Sequence, residues 1–250
     1  MNARVVSASV VGREHIRLWM NNQDGIAKGK VEINGKEHLY AVVTDGCSEG
    51  LHSEVGAKLL ARFIVGEIPV ILFCGTTLEE LPKALFMRCI GYLRGIAAQT
   101  VIGDQQEMVS FIKNYLLCTV VGFVMDDESC VVFHAGDGVI VVNDTVCRIN
   151  QDNKPRYLAY HLVDRRYLVQ QSASQPEGFE AFYFSLKTLD RLVIATDGLD
   201  EKALPSLNGF GKDIQLLREL KGLSRNAGCF SDDCSLVIAE RVANPEGKEA

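Results

Sequence analysis

Four aspartates of this 250-residue chain sit at the ends of short apolar runs, and three of them are followed by glycine. Leu39-Tyr40-Ala41-Val42-Val43-Thr44 leads into Asp45-Gly46. Cys130-Val131-Val132-Phe133-His134-Ala135-Gly136 leads into Asp137-Gly138, and Leu192-Val193-Ile194-Ala195-Thr196 into Asp197-Gly198. In the fourth case the order is reversed, and Asp232-Asp233 precedes the run that contains Leu236-Val237-Ile238-Ala239. Each run has the length and composition of a buried strand. A carboxylate is costly to bury unless a positive charge or a metal ion accompanies it. Hard divalent cations take oxygen ligands. Four carboxylates held at strand ends therefore make the chain a candidate metal-dependent hydrolase.

Asp-Gly is also a common hairpin turn signal. Taken alone, Asp137-Gly138 reads as well as a plain turn between two strands. Asp45-Gly46 and Asp197-Gly198 fit that reading less well, because each is followed by a polar or acidic stretch and then a helix or loop. Their recurrence in one chain, together with Gln23-Asp24, is the stronger signal.

The elements that must position these residues follow from periodicity. Val5–Val11 reads as a strand ended by Gly12, and the segment 13–24 as a polar connection with a turn at Asn21-Asn22-Gln23-Asp24-Gly25. Gly29–Asn34 and Glu37–Val43 read as strands joined by the hairpin dipeptide Asn34-Gly35. Val55, Leu59, Leu60, Phe63 and Ile64 recur at helical spacing, with Ser48 and Ser53 as candidate caps. A second helix starts at the capping-box spacing Thr77-Leu78-Glu79-Glu80, with Pro82 tolerated in its first turn. The apolar stretch Ile68–Phe73 falls between the two, as core or as a partner surface. Strands are then expected at Tyr115–Met125, Cys130–Ala135, Val139–Asn143, Tyr167–Gln170, Phe179–Ser185 and Arg191–Ala195. A helix is expected at Ile214–Leu223 and a last strand at Cys234–Arg241. Strands clustered apart from helices favour an α+β layered fold over a parallel sheet. One domain is expected over residues 1–243, with a polar tail at 244–250.

The formal net charge is −6, which speaks against nucleic acid or an anionic membrane as partner. Bound metals can still supply positive charge locally for phosphate chemistry. The eight cysteines form no Cys-x-x-Cys, and read as small buried hydrophobes in a reducing compartment. Met1-Asn2-Ala3-Arg4 is not followed by a long apolar segment, and no run of about 18 apolar residues exists. A cytoplasmic protein with no membrane span is expected.

The order Gln23-Asp24, Val43-Thr44-Asp45-Gly46, Gly136-Asp137-Gly138, Ala195-Thr196-Asp197-Gly198 and Asp232-Asp233-Cys234-Ser235 resembles the metal-dependent type 2C protein phosphatases, most closely their bacterial branch. The resemblance runs from about Val5 to Arg241. It implies a four-layer αββα sandwich, two central antiparallel sheets flanked by helices, with two Mg²⁺ or Mn²⁺ ions in a cleft at one end. It implies that Asp45 bridges the two ions, with the Gly46 carbonyl on one of them. Asp197 and Asp232 would complete the second ion, and Asp24 would act through metal-bound waters. Asp137, with Asp197, would hold a third, weaker ion, and Asp233 and Ser235 would support the last strand. The implied reaction is direct in-line hydrolysis of phosphomonoesters by a water activated between the two metals. The implied substrates are phosphoserine and phosphothreonine proteins, the targets of protein kinases.

The chain departs from the family pattern twice. Cys47 stands where many members carry the histidine thought to protonate the leaving group. A thiol suits that role poorly, His52 is a nearby stand-in, and a metal-bound water is the preferred donor. The phosphate-contacting arginine is also displaced: in Gly12-Arg13-Glu14-His15-Ile16-Arg17 either His15 or Arg17 is the candidate, the Gly-x-x-His element favouring His15. Trp19 reads as core or edge packing, and His134 as a hydrogen-bonded strand residue and not a ligand. Two other functions compete. One is a catalytically weak or silent relative that binds phosphoproteins, which the retained aspartates oppose. The other is a metal-dependent phosphodiesterase or nuclease, which the acidic balance opposes.

Overall fold

The computed structural model describes residues 3–151, 154, 156–170 and 174–242. The expected tail at 244–250 and the domain limit at 243 lie outside the described residues. Among these residues ten strands form two antiparallel sheets. In chain order they are β1 (Ala3–Val10), β2 (Asp24–Ile33), β3 (Lys36–Asp45), β4 (Val120–Met125) and β5 (Ser129–Ala135), then β6 (Gly138–Val142), β7 (Thr145–Ile149), β8 (Glu180–Ser185), β9 (Arg191–Ala195) and β10 (Cys234–Arg241). One sheet has the order β1-β10-β9-β6-β7 and the other β2-β3-β4-β5-β8. Among the described residues six α-helices accompany them: α1 (Arg13–Leu18), α2 (Ser53–Phe73), α3 (Leu81–Thr100), α4 (Gln105–Phe111), α5 (Arg165–Gln170) and α6 (Asp213–Asn226).

The four layers follow from side-chain alternation. On β3, Leu39, Ala41 and Val43 face the other sheet, while Tyr40 and Val42 face the helices. A strand buried on both faces must be apolar throughout, which is why this one reads as a continuous run. Val121, Phe123, Val132, Ile194 and Val237 fill the space between the sheets. Phe123 is fully buried there, and its removal to alanine would cost about 3–5 kcal/mol. Outside one sheet lie α2 and α3, packing Leu60, Ile64, Leu85 and Leu93 onto Val42, Val124 and Val131. Outside the other, Leu216 and Leu220 of α6 meet Val6, Val139 and Leu236. The α+β sandwich of two antiparallel sheets is the architecture expected.

Several elements differ from the sequence expectation. The polar segment after Gly12 contains α1, six residues long and too short to show a helical period. Tyr167–Gln170 is not a strand but part of α5. The Asp164 carboxylate accepts from Arg166 N at 2.8 Å and starts that helix, a capping interaction that outweighs the β-prone Tyr167 and Val169. Residues Ile112–Leu116 form a π-helical turn, so β4 begins at Val120 rather than Tyr115. Ile68–Phe73 belongs to α2 itself, with Ile68, Ile71 and Leu72 buried and Phe73 exposed. Strand β7, mostly exposed, had no apolar pattern to reveal it. Asn34 and Gly35 both have positive φ, 53° and 76°, as the hairpin dipeptide requires. Among the described residues no helix is long and apolar enough to cross a membrane.

Candidate functional site

The strand register brings the first two carboxylates together. Asp24 and Asp45 are cross-strand partners at the end of the β2–β3 ladder. Like charges directly opposite each other destabilise a sheet. In the facing sheet β10 pairs with β9, so Asp197, just beyond the end of β9, and Asp232, just before β10, come to neighbouring positions. The loops approach each other as backbone on backbone. A Cβ on Gly198 would stand 2.0 Å from the Asp233 carbonyl oxygen, and one on Gly12 would stand 2.2 Å from the Asp232 carbonyl carbon. Only glycine permits either approach.

The electrostatics of this cluster are those of carboxylates without enough counter-charge. Asp24 is 3% exposed. Its Oδ2 accepts from Thr196 Oγ1 at 3.0 Å, while Oδ1 is buried with no hydrogen-bond partner. Burial, reinforced by the charges of Asp233 and Asp232, pushes the Asp24 carboxyl up to about 7 against the hydrogen bonds of Ser235 and Thr196. The Asp45 carboxyl is pushed well above its ordinary range by burial first, then by Asp24, Asp197 and Asp232. A buried orphan oxygen and mutually repelling aspartates fit divalent cations, and an oxygen donor set fits Mg²⁺ or Mn²⁺ better than softer metals.

Asp45, Gly46, Asp137, Asp197 and Asp232 line one cavity of ≈ 550 Å³. Asp24 is not on its wall. Asp137 follows Gly136, whose φ of 83° places it in the left-handed region. The flanking strands β5 and β6 belong to different sheets, so Gly136-Asp137-Gly138 is a crossover between layers and not a hairpin turn. The Asp137 carboxylate accepts from Gln151 N at 2.6 Å.

Asp233 is a buried anchor behind these groups. It accepts from Gly12 N at 2.7 Å and from Gln23 N at 2.6 Å, tying the segment before α1 and the start of β2 to β10. His15 is buried, its Nδ1 2.8 Å from Asp233 Oδ2 and its Nε2 3.8 Å from Asp232 Oδ1. Nδ1 is not aligned for a hydrogen bond. The three residues bring potential ligand atoms within 4.8 Å of one another, yet His15 does not line the cavity. Arg17 is exposed, pairs with Glu14 at 3.3 Å and lines no part of the cavity. Cys47 is on the cavity wall and hydrogen-bonds with the Tyr157 phenol. His52 lies off the cavity wall, 3.6 Å from Glu54 and with its ring 5.5 Å from that of Tyr115. Trp19 is 95% exposed. His134 is buried on β5, stacked on Phe182 and 3.7 Å from Glu180.

Two arginines escaped the sequence reading. Arg13 and Arg148 line an open groove that also includes Asp197 and Asp232. Arg148 donates to the carbonyl oxygens of Asp197 and Leu199, at 3.0 and 2.9 Å. Arg13 lies in the Gly12-Arg13-Glu14 stretch without a periodic signal to single it out. Arg148 sits on the unrecognised strand β7.

Similar solved structures share the whole architecture. The serine/threonine phosphatase Stp1 from Staphylococcus aureus matches with a TM-score of 0.60 at 15% identity, covering 97% of this chain and 96% of that one. The catalytic domain of the serine threonine protein phosphatase PstP, in complex with two manganese ions, matches with 0.56 at 16% identity, covering 96% and 99%. RsbX in complex with magnesium matches with 0.54 at 12% identity, covering 96% of each chain. No curated protein matches the chain in sequence. The sequence model of the family Protein phosphatase 2C matches residues 11–226, most of the chain and all the cavity-lining aspartates but Asp232, and the chain belongs to that family.

Proposed function

We propose that the chain is a metal-dependent serine/threonine protein phosphatase, hydrolysing phosphomonoesters of kinase-modified proteins directly by water. The observation that carries this is the pairing of Asp24 and Asp45 across one ladder end, with Asp197 and Asp232 raising the Asp45 carboxyl from the other sheet. Asp45 and the Gly46 carbonyl would hold two Mg²⁺ or Mn²⁺ ions, with Asp197 and Asp232 on the second, Asp24 acting through water, and Asp137 contributing to a third. When bound, such ions supply positive charge for the phosphoryl oxygens and lower the pKa of water.

The chain's own groups do the rest. Thr196 holds one oxygen of Asp24 and leaves the other free to face a ligand. Asp233 and His15 fix the backbone from which Asp232 projects. Of the α1 cations, Arg13 shares a groove with Asp197 and Asp232 and is the better phosphate contact, whereas Glu14 holds Arg17 in solvent. Cys47, beside the Tyr157 phenol on the cavity wall, leaves leaving-group protonation to water. All eight cysteines are unpaired, which suits a cytoplasmic protein. A silent phosphoprotein-binding role is not favoured, because every carboxylate of the set is retained and brought to one end of the sandwich.

The test is hydrolysis of an aryl phosphate and of a phosphothreonine peptide with and without Mn²⁺. Activity should need the metal and fall at least about a hundredfold in kcat/KM in Asp45→Asn, since metal-held charge is worth several kcal/mol in the transition state. Arg13→Ala should raise KM more than Arg17→Ala does. Activity that survives both chelation and Asp45→Asn would sink the mechanism.

A further inference from the structure

The cavity at the carboxylates is larger than a phosphoryl group needs, and part of its wall is apolar. Besides Asp45 and Asp197, Val109, Ile112, Leu117, Tyr160, Val163 and Leu168 line it. We propose that this chamber takes the apolar side chain of a residue flanking the phosphorylated serine or threonine, so that the enzyme prefers phosphopeptides with a large aliphatic or aromatic neighbour. The proposal rests on the phosphatase reading above and names the substrate class of that same site.

Three observations support it. First, the chamber and the carboxylates form one continuous space. In an extended peptide, side chains one or two positions along lie within reach of the same pocket. Second, the wall is pre-formed. Tyr157 is 8% exposed, its phenol engages Cys47, and its ring meets Tyr160 edge-on at 5.4 Å. Ile112, Leu117 and Leu168 are anchored in the main core, so an incoming side chain meets a surface that needs no reordering. Third, besides the four aspartates the charged residues on the lining, Glu49, Lys113 and Lys154, are exposed. Their charges sit in water, where screening weakens their pull on a charged flank. A charged flanking side chain would have to shed water against apolar walls, while an apolar one gains by leaving water.

The residues that shape the chamber come from α4, the π-helical turn with Leu117 just after it, and the 156–170 segment, none of them a sheet strand. The chemistry at the strand ends and the selectivity beside it thus rest on separate elements.

The experiment uses the Mn²⁺-loaded full chain and phosphothreonine peptides with glycine at every flanking position, against the same peptides with a single Leu, Phe, Lys or Asp at positions −2 to +2. At one or more of these positions Leu or Phe should raise kcat/KM about 10- to 100-fold over glycine, the usual worth of filling an apolar pocket, and Lys or Asp should not. In Val109→Asp the ratio of the Leu peptide to the glycine peptide should collapse to about twofold or less, and Tyr160→Ala should lower it independently if the first variant does not fold. Equal hydrolysis of all peptides, or a preference for a charged flank, overturns the proposal while leaving the phosphatase reading intact. No hydrolysis of any peptide, the glycine one included, overturns both.

Discussion

Arg148 is the side chain whose contribution is least expected from its place in the sequence. It leaves β7 and grips the loop after β9 through the carbonyls of Asp197 and Leu199, with Glu201 Oε1 3.3 Å from its Nε. A planar guanidinium with several fixed donors suits this bridging better than an ammonium does. Asp197 is exposed, and the backbone clamp helps to fix where its carboxylate stands. Groups that orient a metal ligand from behind commonly change metal affinity by about 10- to 100-fold. Arg148→Ala should therefore weaken Mn²⁺ binding by about tenfold in calorimetry, while costing about 1 kcal/mol of stability. Arg148→Lys should recover little of the affinity. Unchanged Mn²⁺ affinity in Arg148→Ala would show that the loop holds its shape without the clamp. The aspartates themselves were legible in the sequence, because each ends or precedes an apolar run that can only be a buried strand. Arg148 was not, because β7 is exposed and carries no apolar alternation. Nor could spacing tell that Arg17 turns to Glu14 while Arg13 turns toward the groove, since α1 offers no buried stripe beyond His15.

At the scale of elements, Lys36 ties two hairpins together. From the start of β3 its ammonium lies 2.9 Å from Asp126 Oδ2, in the β4–β5 turn. Asp126 also accepts from the backbone of Glu128 and Ser129 at 2.8 and 2.7 Å. Burial acts to raise the Asp126 carboxyl, but the hydrogen bonds from Lys36, Ser129 and Glu128 outweigh it, and the carboxyl ends below its ordinary range. A carboxyl depressed in the folded state adds stability above its unfolded value near 4 and loses it as pH falls through the folded value. Asp126→Asn should thus be about 1 kcal/mol less stable at pH 7, with the gap to the parent chain closing only below about pH 4. Denaturant melts at pH 7 and in acid would check this, and a gap that does not change with pH would rule out the charge as its source. The same contrast between buried and local control explains which elements were readable. Strands β3, β4, β5 and β9 are buried on both faces and read as unbroken apolar runs. Helix α5 and the π-helical turn at Ile112–Leu116 are set by a cap and by packing against α2 and α4, signals that an apolar pattern of five or six residues does not carry.

For the molecule as a whole, the site depends on the two sheets being held face to face. Strand β10 lies between β1 and β9, so the last described strand is central to its sheet, and it carries in Asp232 from beyond the matched residues 11–226. The interior of the sandwich thereby brings aspartates from both sheets to one end, at a cost set by their mutual repulsion. Sign and pH window follow from Asp24. Its carboxyl is raised in the folded chain to about 7, above an unfolded value near 4. Without divalent ions its contribution to stability is therefore fully present below about pH 4 and is lost as pH rises through about 7. Asp45 is shifted in the same direction. Divalent cations reverse the balance, because they favour the ionised form and compete with protons for the same oxygens. At a hundredfold excess over Kd a bound ligand adds about 2.7 kcal/mol, or about 5–10 °C in Tm for a chain of this size. The Tm gain on adding Mn²⁺ to chelator-treated protein should reach that range at pH 8 and fall to less than about half of it at pH 5.5, where protons already relieve the repulsion. Asp45→Asn should remove most of the gain at pH 8 and raise the Tm of the metal-free chain there. A gain of equal size at both pH values, or one that persists in Asp45→Asn, would place the cations elsewhere on the molecule.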